Sequence, residues 1–428
     1  MGANPTTTLI KNVCIFNGTS DQLITGQDVV LAGNKIDALI PSGGKEDGYG
    51  TVIDGGGGTL MPGLIDSHTH IAICANIPDI MGVYPMDYVL ALAGVEASRY
   101  LMRGFTTVRD VGGPTLGLKQ LIDQGLSTGP RIFSSGMGIS QTAGHGDWRW
   151  GNAKSSYFTG TTDFWTENNY FYLADGVPEV QKAVRESLAR QAAQIKVCVG
   201  GGVTSLTDPL ESVQYTPEEL KAANDEAERY GTYVCVHVHW DTGIKNALDA
   251  GIKSIEHGLC IQEDTMKQLV DQDAWIVPQA YIVSHEANDG NPVFNNPIQK
   301  AKMDTARAGS IKCFEWAKQY GANVGWGTDM FGRREAYDCT NLEFKSRAEY
   351  FSATEQLKQV TGDNATLLAM SGAKNPYKDA KLGVIEPAAY ADLLIVDGDP
   401  TKDIMVMLDY ENNFKLIMKD GTVYKNTL

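Results

Sequence analysis

Long apolar runs and clusters of basic residues are both absent from this sequence of 428 residues. No stretch approaches the roughly 20 consecutive apolar residues that a membrane-spanning helix needs. The formal net charge of −16 is not offset by any lysine- or arginine-rich block, so the chain would repel phosphate backbones and anionic membrane surfaces. The sequence therefore predicts a soluble protein with neither nucleic acid nor membrane as a partner.

The apolar core of a secretory signal is also missing from the start of the chain, MGANPTTTLIKN. The sequence as given therefore predicts a cytoplasmic protein. Because Met1 to Thr8 is a polar start that could follow any cleavage site, we expect a secreted or periplasmic protein instead if a signal peptide has been removed.

Cysteine shows no pairing pattern in this sequence. The seven cysteines are odd in number and scattered, and they include no CxxC pair, so a disulfide framework is not expected. Cys198 and Cys235 lie in apolar runs, where a buried and unreactive thiol is the expected state. We assign neither of them a catalytic role.

The two ends of the chain have the pattern of short strands. Between Thr8 and Met61, runs such as LIKNVCIF and QDVVLAGNKIDALI alternate with Gly, Asn and Asp turns. The last 40 residues or so repeat this pattern, with ADLLIVDGDP and FKLIMKDGTVYKN closed by Asp-Gly turns. Residues 1–62 and 383–428 are therefore predicted to form one small β-sandwich domain together.

Residues 63–382 alternate apolar β-branched runs with amphipathic helical stretches, which indicates repeated βα units and a parallel sheet. Eight parallel strands with intervening helices is the count that closes a barrel. The sequence therefore predicts an α/β fold, a (β/α)8 TIM-type barrel. The eight candidate strands are LIDSHTHI, FTTVRDVG, RIFSSGMGI, AQIKVCVGG, TYVCVHVH, SIEHG, AWIVPQ and NVGWGTDM.

About forty residues separate the third candidate strand from the helix that starts near Pro178, which is far longer than a usual βα loop. The segment 148–172 of this connection is rich in tryptophan, tyrosine and phenylalanine and must pack on something apolar. We expect it to be a substrate-facing lid, a self-packed flap or a subunit interface, and we expect the protein to be a homo-oligomer.

Ionisable side chains recur at the ends of the candidate strands. His68 and His70 are two residues apart on one strand, so both can point to the same side, as two ligands of one metal must. An isolated HxH pair is equally expected of two structural histidines at a strand end. Here, however, five of the seven histidines fall at strand ends, where barrel enzymes keep their active sites. The ionisable residues at the later strands are Lys196, His237, His239, His257 and Asp329.

Lys196 is unusual because Ile195 and Val197 flank it, and a charged ammonium would be costly to bury there. A neutral lysine amine can add carbon dioxide and become a carbamate, which could bridge two metal ions. The alternatives are a lysine that reaches the barrel mouth and one that is ion-paired with Asp329.

In this order, MPGLIDSHTH, QIKVCVGGG, VCVHVH, SIEHG and GTD resemble the amidohydrolase superfamily with a carboxylated-lysine binuclear metal centre. The stretches GMGISQTAGHGD, ADGVPEVQKAVRE, GGVTS and QYTPEEL are similar to the imidazolonepropionase-like branch. That branch includes metal-dependent Xaa-Pro dipeptidases, arginine or lysine carboxypeptidases and ochratoxinase.

The resemblance implies a ligand set for two divalent metal ions. It implies His68, His70 and Asp329 on one ion, His237 and His257 on the other, and Lys196 between them as N6-carboxylysine. Zinc is the expected metal, although manganese, cobalt or iron would fit the same ligands. The metals are expected to activate a water molecule as hydroxide. Asp329 is expected to take the proton from this water and return it to the leaving amine.

Three further residues are candidates for contact with the substrate. His239 is two residues beyond His237, so it is expected on the same side, donating a hydrogen bond to the substrate carbonyl as charge develops. His145, in a Gly-His-Gly-Asp turn, is expected either to bind a free carboxylate of the substrate or to be a structural turn residue. Arg333 or its neighbour Arg334 is expected to bind an acidic group unless both are simply solvated.

The expected reaction is hydrolysis of an amide bond in a dipeptide or N-acyl amino acid, a class that includes ochratoxin-type amides. The alternative is a cyclic-amide hydrolase or a deaminase of a small heterocycle. Because many deaminases of the superfamily lack the bridging lysine, Lys196 favours two metals and amide cleavage. A binding protein derived from the enzyme would have lost metal ligands, and none of the six is lost.

Overall fold

The computed structural model describes residues 7–150, 152–289 and 291–428. The first six residues of the polar start, on which the leader prediction depends, lie outside these ranges, as does Gly151 in the aromatic segment. In the described residues no helix combines the length and the apolar character needed to cross a membrane.

The strands are β1 (Thr7–Lys11), β2 (Cys14–Ile15), β3 (Gln27–Ala32), β4 (Lys35–Pro41), β5 (Thr51–Asp54), β6 (Thr59–Pro62), β7 (Leu64–Thr69), β8 (Phe105–Asp110), β9 (Arg131–Ser134), β10 (Gly138–Ser140), β11 (Phe171–Leu173), β12 (Ile195–Cys198), β13 (Val234–Trp240), β14 (Ser254–Cys260), β15 (Trp275–Val277), β16 (Asn323–Val324), β17 (Leu393–Val396), β18 (Phe414–Lys419) and β19 (Thr422–Asn426).

The α-helices are α1 (Ile77–Gly82), α2 (Met86–Met102), α3 (Leu116–Asp123), α4 (Ser156–Thr159), α5 (Phe164–Glu167), α6 (Val177–Ala189), α7 (Pro217–Arg229), α8 (Asp241–Asp249), α9 (Glu263–Asp271), α10 (His285–Asn288), α11 (Pro297–Tyr320), α12 (Arg334–Tyr337), α13 (Leu342–Arg347), α14 (Ala353–Lys358), α15 (Asn364–Ala369) and α16 (Tyr410–Asn413). Short 3-10 helices span Pro292–Asn295, Gly372–Lys374 and Ile404–Met407, and a π-helical turn spans Gln359–Asp363.

The middle of the chain is an α/β structure with parallel strands, as predicted. One sheet has the order β7-β8-β9, and a second has the order β11-β10-β12-β13-β14-β15-β16. Every pair within these two sheets is parallel. The two sheets adjoin where the Ala193 N–H donates to the Ser134 carbonyl at the end of β9, at 2.8 Å.

The last of these strands is also connected to the first. The Ser67 N–H donates to the Trp326 carbonyl at 3.0 Å, and the Asp329 N–H donates to the His68 carbonyl at 2.9 Å. The Asn364 amide of α15 donates to the carbonyls of Ile65 at 2.6 Å and Trp326 at 2.7 Å. The chain that follows β16 is therefore hydrogen-bonded to β7, and the strand ends that carry ionisable residues are brought together.

The third candidate strand, predicted as one run over 131–139, is two strands. β9 pairs with β8, whereas β10 pairs with β12 on one side and β11 on the other. Gly136, between them, has φ of +64°, a left-handed conformation that interrupts an extended strand. The break lets the chain pass from the first parallel sheet to the second.

The predicted helix signals are present in the structure. The Thr216 side chain accepts a hydrogen bond from the Glu219 N–H, and Glu219 bonds back to the Thr216 N–H, which completes the capping box at the start of α7. In α6, Val180, Val184 and Leu188 share one buried face. This face belongs to one apolar cluster with side chains of the neighbouring strands β10 and β12.

Both ends of the chain contribute to a pair of smaller sheets. A four-stranded sheet has the order β4-β3-β1-β5, and a five-stranded sheet has the order β19-β18-β17-β6-β2. In the second, β17 pairs antiparallel with β6, so residues far apart in sequence become neighbours. Buried apolar residues from both sheets, including Leu31, Leu60 and Leu393, form one cluster. The predicted domain limits at 62/63 and 382/383 stay a prediction.

Candidate metal centre

The end of β7 places two histidines beside an aspartate. His68 lies in β7 and His70 follows the strand, with one residue between them. The Nε2 atoms of His68 and His70 are each 3.4 Å from Oδ1 of Asp329. Both histidines are thus on the same side of the chain, as the alternation of a strand requires. One carboxylate oxygen faces two imidazole nitrogens.

Two of the predicted ligands have an uncommon backbone conformation. The φ angle is +55° at Asp329 and +66° at His257, in the left-handed region that residues other than glycine rarely occupy. Such conformations cost about 1–3 kcal/mol, persist only where surrounding contacts fix them, and cluster at functional sites. Oδ2 of Asp329 is 3.9 Å from Nδ1 of His257, so the two positions face each other.

A second cluster consists of buried histidines from β13 and β14, namely His237, His239 and His257. One nitrogen from each lies within 4.8 Å of the others. The rings of His239 and His257 stack with their centroids 4.8 Å apart, and the His237 ring meets the His257 ring edge-on at 4.5 Å. His257 also forms a group with His68 and Asp329 that satisfies the same separation, so the two clusters share it.

Burial holds the second cluster in its neutral form. It lowers the pKa of His237 and His257 well below the ordinary value and that of His239 to about 3, and charge on neighbouring histidines acts in the same direction. Burial opposes the charged form of Asp329, but His68 and His70 outweigh it and lower the pKa of that carboxyl well below its usual range. Neutral imidazole and ionised carboxylate are the protonation states that metal binding requires.

The residues present fit a divalent metal. Nε2 of His68 and Nδ1 of His239 are buried and have no hydrogen-bond partner among the described residues. A buried polar atom without a partner is costly, and coordination to a metal would satisfy it. Imidazole and carboxylate ligands suit zinc and its first-row neighbours. The geometry also makes His239 a candidate ligand, whereas the sequence predicted only a catalytic and substrate-binding role for it.

Lys196 lies in β12 with only 3% of its surface exposed. Its backbone pairs with Gly138 of β10 on one side and with Cys235 of β13 on the other. β13 is also the strand that carries His237. Among the described residues Asp329 pairs only with histidines. The ion pair between Lys196 and Asp329 that the sequence left open is therefore not formed.

Oxygen atoms behind the site hold three of the histidine rings. The contacts are His68 Nδ1 to Glu256 Oε2 at 2.7 Å, His70 Nδ1 to the Gly112 carbonyl at 3.1 Å, and His257 Nδ1 to Gln279 Oε1 at 2.7 Å. Sequence reasoning missed Glu256 and Gln279. The available signal was a polar residue inside an apolar strand run, SIEHG in one case and AWIVPQ in the other.

His145 lies against the second cluster and has a carboxylate partner. Its ring stacks on that of His237 with centroids 3.9 Å apart and an angle of 7° between the planes. Its Nδ1 is 3.0 Å from Oδ2 of Asp208, which also accepts the Gly202 N–H at 2.8 Å. Burial opposes the charge on Asp208, but the hydrogen bond and charge of His145, together with hydrogen bonds from Ser205 and Gly202, outweigh it and lower the pKa of the carboxyl. Sequence reasoning did not find Asp208.

Arg333 occupies the N-cap position of α12 and is exposed, as is Arg334. The nearest aromatic side chain in sequence, Phe331, packs edge-on against the ring of His70 at 6.5 Å. The structure therefore places the loop that carries Arg333 at the rim of the site, with the guanidinium in solvent.

The aromatic segment 148–172 is packed on itself at its base. Trp165 contacts Trp148 and Tyr170 edge-on at 4.9 and 5.1 Å, and the Tyr170 hydroxyl donates to the Ala72 carbonyl at 2.8 Å. The tip is different, because Tyr157 and Phe158 are 86% and 73% exposed. The base is thus a self-packed flap tied to the chain after β7, and a lid or interface role of the tip stays a prediction.

This chain is similar to known proteins over most of its length. The profile of the amidohydrolase family matches residues 59–424. Ochratoxinase from Aspergillus niger is 31% identical over 383 residues, which cover 86% of this chain and 75% of that enzyme.

Two solved structures are similar over almost their full length. A prolidase in complex with N-methylphosphonate-L-proline has 31% identity and a TM-score of 0.89, covering 99% of this chain and 100% of that one. A Xaa-Pro dipeptidase with methionine bound in its active site has 29% identity and a TM-score of 0.85, covering 98% and 100%. The match over residues 59–424 and these relatives show that the chain belongs to the amidohydrolase family and is a hydrolase of carbon–nitrogen bonds.

Proposed function

We propose that this chain hydrolyses the amide bond of a dipeptide or an N-acyl amino acid whose free carboxylate lies beside the bond that is cleaved. The observation that carries the proposal is the Asp329 carboxylate, which lies 3.4 Å from Nε2 of both His68 and His70 and next to a group of neutral imidazoles. This arrangement combines a metal-binding set with a proton acceptor in one place.

The proposed ligands are those that the family resemblance implies. His68, His70 and Asp329 would hold one divalent ion, and His237 and His257 the other, with Lys196 bridging as N6-carboxylysine. The position of Lys196, buried in the strand that pairs with the one carrying His237, supports the bridge. Zinc is the proposed metal. When bound, the two ions supply an activated water and polarise the substrate carbonyl.

Asp329 is the proposed proton carrier. Its lowered pKa keeps the carboxylate ionised at neutral pH, so it can accept a proton from the attacking water. The same carboxyl then returns the proton to the leaving amine, which prevents the amine from leaving as an anion. Its left-handed φ supports a position that is fixed for this transfer.

His239 and His145 are the proposed contacts with the substrate. His239 is neutral at ordinary pH and keeps one ring N–H, which is available to the carbonyl oxygen as negative charge develops. Asp208 accepts from Nδ1 of His145, so a ring that is protonated on both nitrogens has its Nε2–H left to donate to the substrate carboxylate. Arg333 at the rim is proposed to meet an acidic group on larger substrates.

The relatives support a substrate of this class. One is an ochratoxinase, one a prolidase and one a Xaa-Pro dipeptidase. The ligands named for the two solved structures, N-methylphosphonate-L-proline and methionine, are both amino acids or derivatives with a carboxylate. Ochratoxin-type amides are therefore included in the proposal alongside dipeptides.

We also propose that the eight parallel strand positions of residues 63–382 close as a (β/α)8 barrel. The bonds from the chain after β16 to β7 support this closure. Residues 1–62 and 383–428 would then form a β-sandwich domain beside it, for which the shared apolar cluster gives support.

The test is a substrate screen with protein reconstituted with zinc. The panel would pair Xaa-Pro and other dipeptides and N-acyl amino acids with their carboxyl-blocked amides, and would include cyclic amides and amino-heterocycles. We expect hydrolysis of the free acids, weak activity on the blocked forms, and loss of activity in Asp329→Asn. Activity confined to the cyclic amides or amino-heterocycles would contradict the proposal and favour the alternative reaction class.

A further inference from the structure

A buried ion pair lies directly behind the candidate metal centre. Arg109 of β8 and Glu256 of β14 are both fully buried, and one terminal nitrogen of the guanidinium is 2.8 Å from each carboxylate oxygen. Interior positions of parallel barrels are usually filled by branched apolar side chains. Burying an ion pair costs desolvation energy that apolar residues would avoid, so a buried pair is weak evidence for stability, and its contacts have to show what else it does.

The pair is connected to the site through His68. Oε2 of Glu256 is 2.7 Å from Nδ1 of His68. An ionised carboxylate only accepts hydrogen bonds, so the contact requires the His68 proton to be on Nδ1. In the neutral ring, which is the form that binds a metal, the lone pair is then on Nε2, the atom that is 3.4 Å from Asp329 and has no hydrogen-bond partner among the described residues.

The surroundings of Arg109 keep this arrangement in place. Its second terminal nitrogen donates to the Tyr233 hydroxyl at 3.1 Å and to Oγ of Ser254 at 3.0 Å. The Ser254 hydroxyl donates in turn to Oε1 of Glu256 at 2.7 Å. Both carboxylate oxygens therefore accept hydrogen bonds from groups other than His68, and the carboxylate cannot turn without breaking them.

His68 differs from the other candidate ligands in the charge of its partner. Nδ1 of His70 meets a backbone carbonyl and Nδ1 of His257 meets an amide oxygen, whereas His68 meets a carboxylate. Hydrogen bonds to a charged acceptor are about twice as strong as neutral ones and make the imidazole a better electron donor to a metal.

We propose that Arg109 and Glu256 are positioning residues that fix the ring and the tautomer of His68, so that its Nε2 is presented to the metal. The inference rests on the metal centre of the proposed function. It assigns the pair a role in metal affinity that is separate from its contribution to folding.

The protein offers a matched control. Glu343 and Arg347 form another fully buried ion pair, with 2.7 Å between Oε1 and Nε. Glu343 accepts from backbone N–H groups of Ala280 and Tyr281, and none of its partners in the described part of the chain is a histidine. Glu343→Gln therefore reproduces the loss of a buried charge without touching a metal ligand.

The experiment compares Glu256→Gln with Glu343→Gln by zinc affinity, from competition with a chromophoric chelator, and by the Tm of the metal-free and zinc-loaded proteins. We expect Glu256→Gln to weaken binding of one zinc ion about 10- to 100-fold and to reduce the rise in Tm that zinc produces. Glu343→Gln should lower both Tm values equally and leave the affinity unchanged. Wild-type zinc affinity in Glu256→Gln would overturn the inference.

A second measurement needs no folded variant of the pair. In metal-free wild-type protein labelled with ¹⁵N-histidine, the His68 shifts should be those of a ring protonated at Nδ1, with His68→Asn supplying the assignment. A His68 ring protonated at Nε2 and not at Nδ1 would overturn this inference and leave the proposed function standing. A wild-type protein that binds no divalent metal would refute the proposed function and this inference with it.

Discussion

At the scale of single residues, burial decides what each side chain of the metal centre can do. His237, His239 and His257 are held neutral by it, whereas Asp329 stays ionised because histidines face it on two sides. These three imidazoles and the Asp329 carboxylate are therefore already in the protonation states that bind a metal. Substitutions that alter charge without altering shape are the sharpest tests of these roles.

Replacing Asp329 by Asn is expected to keep the fold and much of the metal but to abolish most hydrolysis. The amide is nearly isosteric, yet it cannot accept and return a proton. Circular dichroism, metal analysis and initial rates check the three parts of this expectation. A kcat close to that of the wild type would contradict the role of Asp329 as proton carrier.

Lys196→Ala is expected to lower both metal content and turnover severely, from close to two divalent ions per chain in the wild type. The substitution removes the proposed bridging carbamate while leaving the histidines in place. Metal analysis of protein prepared without added small carboxylates is the direct measurement. Retention of both ions in that variant would remove the bridge from the mechanism.

Blocking the substrate carboxylate as an amide is expected to lower kcat/KM far more in the wild type than in His145→Ala. A charge-assisted hydrogen bond is worth about 1.5–3 kcal/mol, or roughly a ten- to hundredfold change. Because enzyme and substrate are altered in a double-mutant cycle, general damage to the site cancels. If the two losses are simply additive, His145 holds its turn and does not bind the substrate.

At the scale of elements, one lysine of helix α11 is hydrogen-bonded to the loop 202–208 of the site. The Lys302 ammonium is buried and donates to the carbonyls of Gly202 and Ser205, at 3.0 Å each, and also to the Asp208 carbonyl. This loop carries the carboxylate that contacts His145. The position of the proposed carboxylate-binding histidine therefore depends on a helix outside the site.

Lys302→Met is expected to raise KM for substrates with a free carboxylate, by less than His145→Ala does, with a smaller effect on kcat. Loss of the ammonium releases the loop carbonyls, so amide exchange over residues 202–208 should become faster. Lys300→Met is the control, because Lys300 is an exposed residue of the same helix, paired with Asp304. Unchanged exchange in Lys302→Met would show that the loop is held by other contacts.

The sequence predicted the elements that have periodic patterns and missed those that depend on the meeting of distant strands. The alternation of strands and helices, the capping box at Thr216 and the buried face of α6 are all local, and the structure has them. β11 was missed, because its three residues are a strand only through pairing with β10. The break between β9 and β10 depends on a single glycine conformation.

The same limit applies to the candidate site. His68, His70 and Asp329 could be predicted because each stands in a motif at a strand end. Glu256 and Asp208 could not, since their roles come from contacts with histidines 188 and 63 residues away. No spacing along the chain encodes such a contact.

At the scale of the whole molecule, one asparagine holds the two ends of the parallel strand system together. The buried Asn364 side chain donates to the carbonyls of Ile65 and Trp326 and accepts the Trp326 N–H at 3.0 Å. The strand β7 that carries His68 and the segment that leads to Asp329 are thus joined through it.

Asn364→Leu is expected to lower the free energy of unfolding. The buried Trp326 N–H loses its acceptor in this variant, and that loss by itself costs about 1–3 kcal/mol. Because His68 and Asp329 lie a few residues beyond these bonds, zinc affinity should fall as well. Chemical denaturation of the metal-free protein and chelator competition measure the two effects. Wild-type stability would mean that the backbone bonds suffice to join these strands.

The pairing of β6 with β17 has a consequence for how the protein is made. β6 leads within two residues into β7, the strand that carries His68, while β17 begins at residue 393. On the ribosome, β6 is therefore synthesised more than three hundred residues before its partner strand. That edge of β6 stays unpaired until β17 has been synthesised, and a nascent chain released before that point lacks this neighbouring strand.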